Sequence, residues 1–168
     1  MFRAFFLSLV IYACTLAPAP ARAHHFAIDL DVSSGKEKKT AHAEELGLGS
    51  KPKARAVVAI KAGATVKVKW KLSNIDAKAT YKDVTVHFFV VKEQMLGQAF
   101  VPKLLPKDMV AESALTMDFK PKDKNEGELT FTIASAGSYM LRLETIDAAV
   151  GKDGHEHFAA LDLEVSGE

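Results

Sequence analysis

The chain has 168 residues, 48 % hydrophobic, 26 % charged and 8 % aromatic, which excludes a collagen, a coiled coil or a disordered chain. A formal net charge of +1 forces no strongly basic face, and no nucleic-acid partner is expected. A single cysteine excludes a disulfide framework and any multi-thiolate zinc or iron–sulfur site.

Residues 1–23 read as a secretory signal. Arg3 supplies a positive start, Ala4 to Ala13 is apolar, and Ala21-Arg22-Ala23 is a small-x-small cleavage site. The apolar run is too short to span a bilayer, and no later stretch approaches the ~20 apolar residues of a membrane helix. Cleavage after Ala23 makes His24 the mature N-terminus and removes Cys14, Arg3 and Arg22, but no acid. The formal charge then becomes −1 and no thiol remains. The expected location is the periplasm or the extracellular space, with residues 24–168 forming one domain. A rival reading makes Cys14 a lipidated N-terminus, although Tyr12 in Ile11-Tyr12-Ala13 makes a poor lipobox.

The remaining chain alternates apolar and polar residues, the period of half-buried strands. Strands are expected at Phe26–Val32, Val57–Ile60, Val66–Leu72, Val84–Val91, Leu115–Phe119, Leu129–Ile133, Tyr139–Leu143 and Ala159–Val165. Lys67, Lys69 and Lys71 give one strand a wet lysine face. Val84–Val91 (VTVHFFVV) is apolar on both faces, as a central strand is. Turns are expected at Lys61–Gly63, Ser73–Asp76, Asn125–Gly127, Ala136-Gly137 and Gly151–Gly154. Ser33–Lys53 and Lys92–Glu112 read as lysine-rich surface loops, with one or two helical turns in Ala41–Leu48. The fold class this predicts is all-β: an immunoglobulin-like or cupredoxin-like antiparallel β-sandwich of seven to nine strands, with Trp70, Phe88, Phe131, Tyr139 and Leu141 inside.

The two ends of this domain resemble each other. His25-Phe26-Ala27-Ile28-Asp29-Leu30 matches His157-Phe158-Ala159-Ala160-Leu161-Asp162-Leu163 with one inserted residue. Two edge strands with an apolar inner face and an acidic outer one would look alike for that reason alone. If the first and last strands are parallel neighbours, however, His24 and His25 share one end of the sandwich with His155 and His157. Imidazoles suit copper and zinc, and no oxygen-rich calcium loop is present. The α-amine of a mature His24 would chelate Cu(II) together with its own ring. The candidate metal ligands are therefore His24, His25, His155 and His157, with copper ahead of zinc and Glu156 or Asp153 as orienting carboxylates. His87, in mid-strand, reads as a hydrogen-bonded histidine, His42 as a solvated one, and the dispersed methionines as packing.

An N-terminal His with a distant H-x-H on a β-sandwich resembles the copper-binding soluble domain of particulate methane monooxygenase. It is similar, more loosely, to periplasmic copper-resistance and copper-chaperone sandwiches. The methane monooxygenase resemblance implies copper held by His24, His155 and His157. The terminal HEHFAA segment also resembles that of secreted bacterial proteins. A blue-copper site needs a cysteine, which the processed chain lacks. No nucleophile motif of a hydrolase is visible, so a non-enzymatic metal carrier or buffer is expected. The alternatives are an interaction module with an envelope partner, and a copper oxidase resembling polysaccharide monooxygenases, for which no flat aromatic surface is evident.

Overall fold

The computed structural model describes residues 25–43, 53–99, 105–146 and 156–167. The signal segment 1–23 with Cys14, the residues His24 and His155, the stretch 44–48 and the turn Gly151–Gly154 lie outside them. Among the described residues there are nine strands: β1 (Phe26–Ser34), β2 (Glu37–Ala43), β3 (Val57–Lys61), β4 (Thr65–Asn74), β5 (Tyr81–Lys92), β6 (Met109–Phe119), β7 (Lys124–Thr132), β8 (Gly137–Ile146) and β9 (Glu156–Ser166). Among the described residues no helix is long and apolar enough to cross a membrane.

The strands form two sheets, ordered β2-β1-β4-β7 and β3-β9-β8-β5-β6. This is an all-β, immunoglobulin-like sandwich. The period-2 pattern sends Phe26, Ile28, Leu30 and Val32 of β1 inward, against Val86, Phe88 and Val90 of β5 and Leu141, Leu143, Leu161 and Leu163 of β8 and β9. Tyr139 is also buried, and its hydroxyl donates to the Ser135 carbonyl at 2.9 Å. Trp70 and Phe131 are half-buried and pack against this core from its β7 side.

Several expectations are corrected. β1 is not a neighbour of β9: the two strands lie in opposite sheets, and β3 is the parallel partner of β9. Part of the first supposed loop is strand β2, a hairpin partner of β1. Its turn is two residues long, with Gly35 at φ +58°, a conformation that glycine adopts without a Cβ clash. Ala41–Ala43 is strand, not helix. Pro106–Asp108 forms a single 3-10 turn, and β6 already begins at Met109, inside the second supposed loop. Ser73 and Asn74 belong to β4, and Asn125–Gly127 lie within β7. The chain turns instead around Lys122 (φ 62°), crossing from β6 in one sheet to β7 in the other.

β5 lies between β8 and β6; its inner face is apolar throughout, whereas its outer face is apolar at Phe89 and Val91 but polar at Thr85 and His87. Phe89 and Val91 form a second, smaller cluster with Met140 on the outer face of the five-stranded sheet. Beside it lies a buried ionic group. Arg55 Nε donates to Asp162 Oδ1 at 2.7 Å and its terminal nitrogen donates to Glu93 Oε1, while the Gly97 amide donates to Asp162 Oδ2 at 2.6 Å. Arg55 thereby ties the segment after β5 onto β9. Burial pushes the Glu93 carboxyl above its ordinary value, and the Arg55 guanidinium only partly offsets this.

Candidate metal centre

One end of the sandwich is organised by Asn74, the last residue of β4, which is buried. Its Nδ2 donates to the carbonyls of Ala79 (3.0 Å) and Lys120 (2.8 Å), and its Oδ1 accepts from the Asp76 amide at 2.9 Å. These bonds shape the β4–β5 connection and hold it against the β6–β7 crossing. Asp76 Oδ1 then accepts from the amides of Lys78 (2.7 Å) and Ala79 (3.0 Å). Those two amides hold the Asp76 carboxyl below the usual range, with smaller contributions from the Tyr81 hydroxyl and the His25 ring, against a small opposing effect of desolvation.

His25 enters β1 across this connection, where its carbonyl accepts from the Ile75 amide at 2.8 Å. Its Nδ1 lies 2.5 Å from Tyr81 Oη, and Tyr81 donates to Asp76 Oδ2 at 3.3 Å. The His25 and Tyr81 rings are 4.6 Å apart between centroids. From the opposite sheet, the main-chain N–H of His25 donates to His157 Nε2 at 3.4 Å. His157 is 7 % exposed and stands edge-on to Phe26 at 6.0 Å. The starts of β1 and β9 therefore meet face to face across the sandwich, although the strands do not pair.

Of the four candidate ligands, the structure brings His25 and His157 together. His24 and His155 lie outside the described residues, as do Asp153 and the side chain of Glu156. Among the described residues, no group of three or more His, Cys, Asp or Glu side chains is arranged to hold a metal ion. Among the described residues this end holds two imidazoles, a phenol and the Asp76 carboxylate, and His157 Nε2 is already engaged by the His25 N–H. The sequence reading missed Tyr81 and Asp76, because a lone Tyr and a turn Asp carry no motif. Their signal is positional: both follow Asn74, where β4 ends beside His25.

The other histidines are engaged elsewhere. His42 Nδ1 contacts Asp29 on the outer face of the four-stranded sheet. His87 sits between two carboxylates, Nδ1 3.1 Å from Glu144 and Nε2 2.8 Å from Glu112, and Arg142 in turn lies 2.6 Å from Glu144. The Arg142 guanidinium also covers the Phe158 ring at 4.1 Å.

No protein-family model matches the chain, and no curated protein matches it in sequence. Among solved structures, the C-terminal domain of Wzt is similar, with a TM-score of 0.46 and 9 % identity over 83 % of this chain and 71 % of that one. The soluble domain of PmoD from Methylocystis sp. has a TM-score of 0.43 and 11 % identity, over 83 % of this chain and 90 % of that one. The cellulose-active LPMO CelS2, in complex with copper, has a TM-score of 0.36 and 14 % identity, over 66 % of this chain and 53 % of that one. These likenesses are distant, and the reading of the site rests on its own geometry.

Proposed function

We propose that the protein is an exported copper carrier or buffer, without catalytic activity, that holds its ion at the histidine cluster of His24, His25, His155 and His157. The observation that supports this reading is the approach of the His25 amide to His157 Nε2 at 3.4 Å, between residues 132 apart in sequence. His24 is the neighbour of His25, about 3.8 Å away between Cα atoms, and two residues of chain span at most ~7 Å from His157 to His155. In this reading all four imidazoles share one small region. Nitrogen donors of this kind favour Cu(II) over other divalent ions, with zinc second. The site pattern is that of the methane monooxygenase resemblance, and signal cleavage before His24 adds an α-amine to it. Release into the periplasm or extracellular space is part of the same proposal.

The test is calorimetry and electron paramagnetic resonance on protein whose processed N-terminus has been verified by intact mass. Cu(II) should bind, and binding should weaken as pH falls through the imidazole range near ~6.5, because protons compete for the same nitrogens. His155→Ala combined with His157→Ala should remove binding, and His42→Ala should leave it unchanged. His157 is buried, so thermal denaturation of the metal-free variants must accompany the titration. His25→Ala, at a half-buried ring, provides a second variant that leaves β9 intact. A wild type without Cu(II) affinity, or a double variant that keeps it, would overturn the reading in favour of an interaction module.

A further inference from the structure

Among the described residues the two sheets differ in width: the smaller one ends at β7 and the larger one at β6. Phe131 of β7 packs on Phe88 of β5, with 5.9 Å between ring centroids, so β7 covers β5 and β6 extends one strand beyond it. Leu115 and Met117 of β6 stand opposite Val86 and Val84, and therefore share the core-facing side of their sheet. The two valines are buried, yet Leu115 is 42 % exposed and Met117 only partly buried. Trp70, Leu129 and Phe131 of the smaller sheet are partly buried as well. Gly127 lets the Trp70 indole lie across β7 toward this open side.

We infer that the cleft between the β7 and β6 edges receives an extended segment of a partner protein, in which apolar residues alternate with lysine or arginine and which adds to β7 as a further strand. Such a strand lies about 4.8 Å beyond β7 and so over β6, where its inward side chains cover Leu115 and Met117. Its outward side chains meet Glu126 and Glu128, two exposed acids on the outer face of β7. The other edge of β7 already takes a strand of this kind: β4 reads Val66-Lys-Val-Lys-Trp-Lys-Leu72, and Lys67 Nζ lies 2.6 Å from Glu128 Oε1. A second copy joined through β7 does not fit, because its β7 would carry its own β5 into the place that β6 occupies.

Trp70 is the sole tryptophan of the chain, so its fluorescence reads the cleft directly. The probes are two synthetic peptides as long as β7, one alternating valine with lysine and the other valine with glutamate. The lysine peptide should move the Trp70 emission to shorter wavelength, saturably, and slow amide exchange along β7; the glutamate peptide should do neither. Glu126→Lys combined with Glu128→Lys should weaken the lysine peptide about tenfold and admit the glutamate peptide. Leu115→Asp should also weaken the lysine peptide, with thermal denaturation showing that the fold survives at this exposed position. Equal binding of both peptides, a Trp70 shift without protection of β7, or no response to either peptide would overturn the inference. Protection of β7 that grows with protein concentration in the absence of peptide would make a second copy the occupant and overturn it equally.

Discussion

Gly127 lies in the middle of β7 opposite Trp70 of β4, and the indole lies across it. A Cβ added at Gly127 would stand 2.5 Å from Trp70 Cζ2 and 2.6 Å from Cε2, well inside van der Waals contact. Gly127→Ala therefore forces the indole off its seat. Overpacking of this kind costs about 1–3 kcal/mol. At ~2–4 °C of melting temperature per kcal/mol for a chain of this size, the loss should be plain in thermal denaturation. Trp70→Ala should itself cost about half of the ~3–5 kcal/mol of a fully buried aromatic, because the ring is half-buried. The decisive measurement is the double-mutant cycle. With the indole gone, Gly127→Ala should be neutral or slightly stabilising, since alanine restricts the unfolded chain. Urea denaturation of the four proteins gives the coupling energy, expected at about 1 kcal/mol or more. If Gly127→Ala costs nothing with Trp70 present, the indole does not lie on β7 and the β4–β7 register is wrong.

Two further outcomes follow from the buried ionic group. Arg55→Ala strands Asp162 and Glu93 without their cation and should cost ~3–5 kcal/mol in urea denaturation, with the segment after β5 losing amide-exchange protection first. Glu93 has a folded pKa above its ordinary 4.5, so between those two values the folded state binds more proton than the unfolded one. Its contribution to stability must then fall as pH rises through that window. Relative to wild type, Glu93→Gln should gain stability as pH rises through that window. A difference that stays constant, or runs the other way, would contradict this.

Strands with one buried face were legible in the sequence because alternation is written directly into them: Phe26 to Val32 needed no tertiary information. β2 was not legible. Glu37–Ala43 is an outer strand whose residues are mostly exposed, so no apolar period marks it. Gly127 looked like a turn because glycine usually marks one, yet here the absent side chain makes room for Trp70. Arg55, Glu93 and Asp162 carry no motif; only the packing of the segment after β5 onto β9 buries them together. The likeness of the two termini suggested that β1 and β9 pair, which they do not; of the four histidines, His25 and His157 are seen to approach. They face each other across the core instead of pairing along an edge, so Tyr81 and Asp76, which come from the intervening connection, could not be inferred.

The position of β9 has a kinetic meaning. It lies between β3 and β8, so the last strand of the nine is an interior member of its sheet, and among the described residues β3 has no other hydrogen-bonded neighbour there. Until those final residues are available, β3 has nothing to pair with and Leu161 and Leu163 are missing from the core. Such non-local closure is slow compared with forming a hairpin like β1–β2. A chain emerging from synthesis would stay open until its C-terminal segment arrives. The contact between His25 and His157, drawn from the first and last of these strands, would form only at that closure.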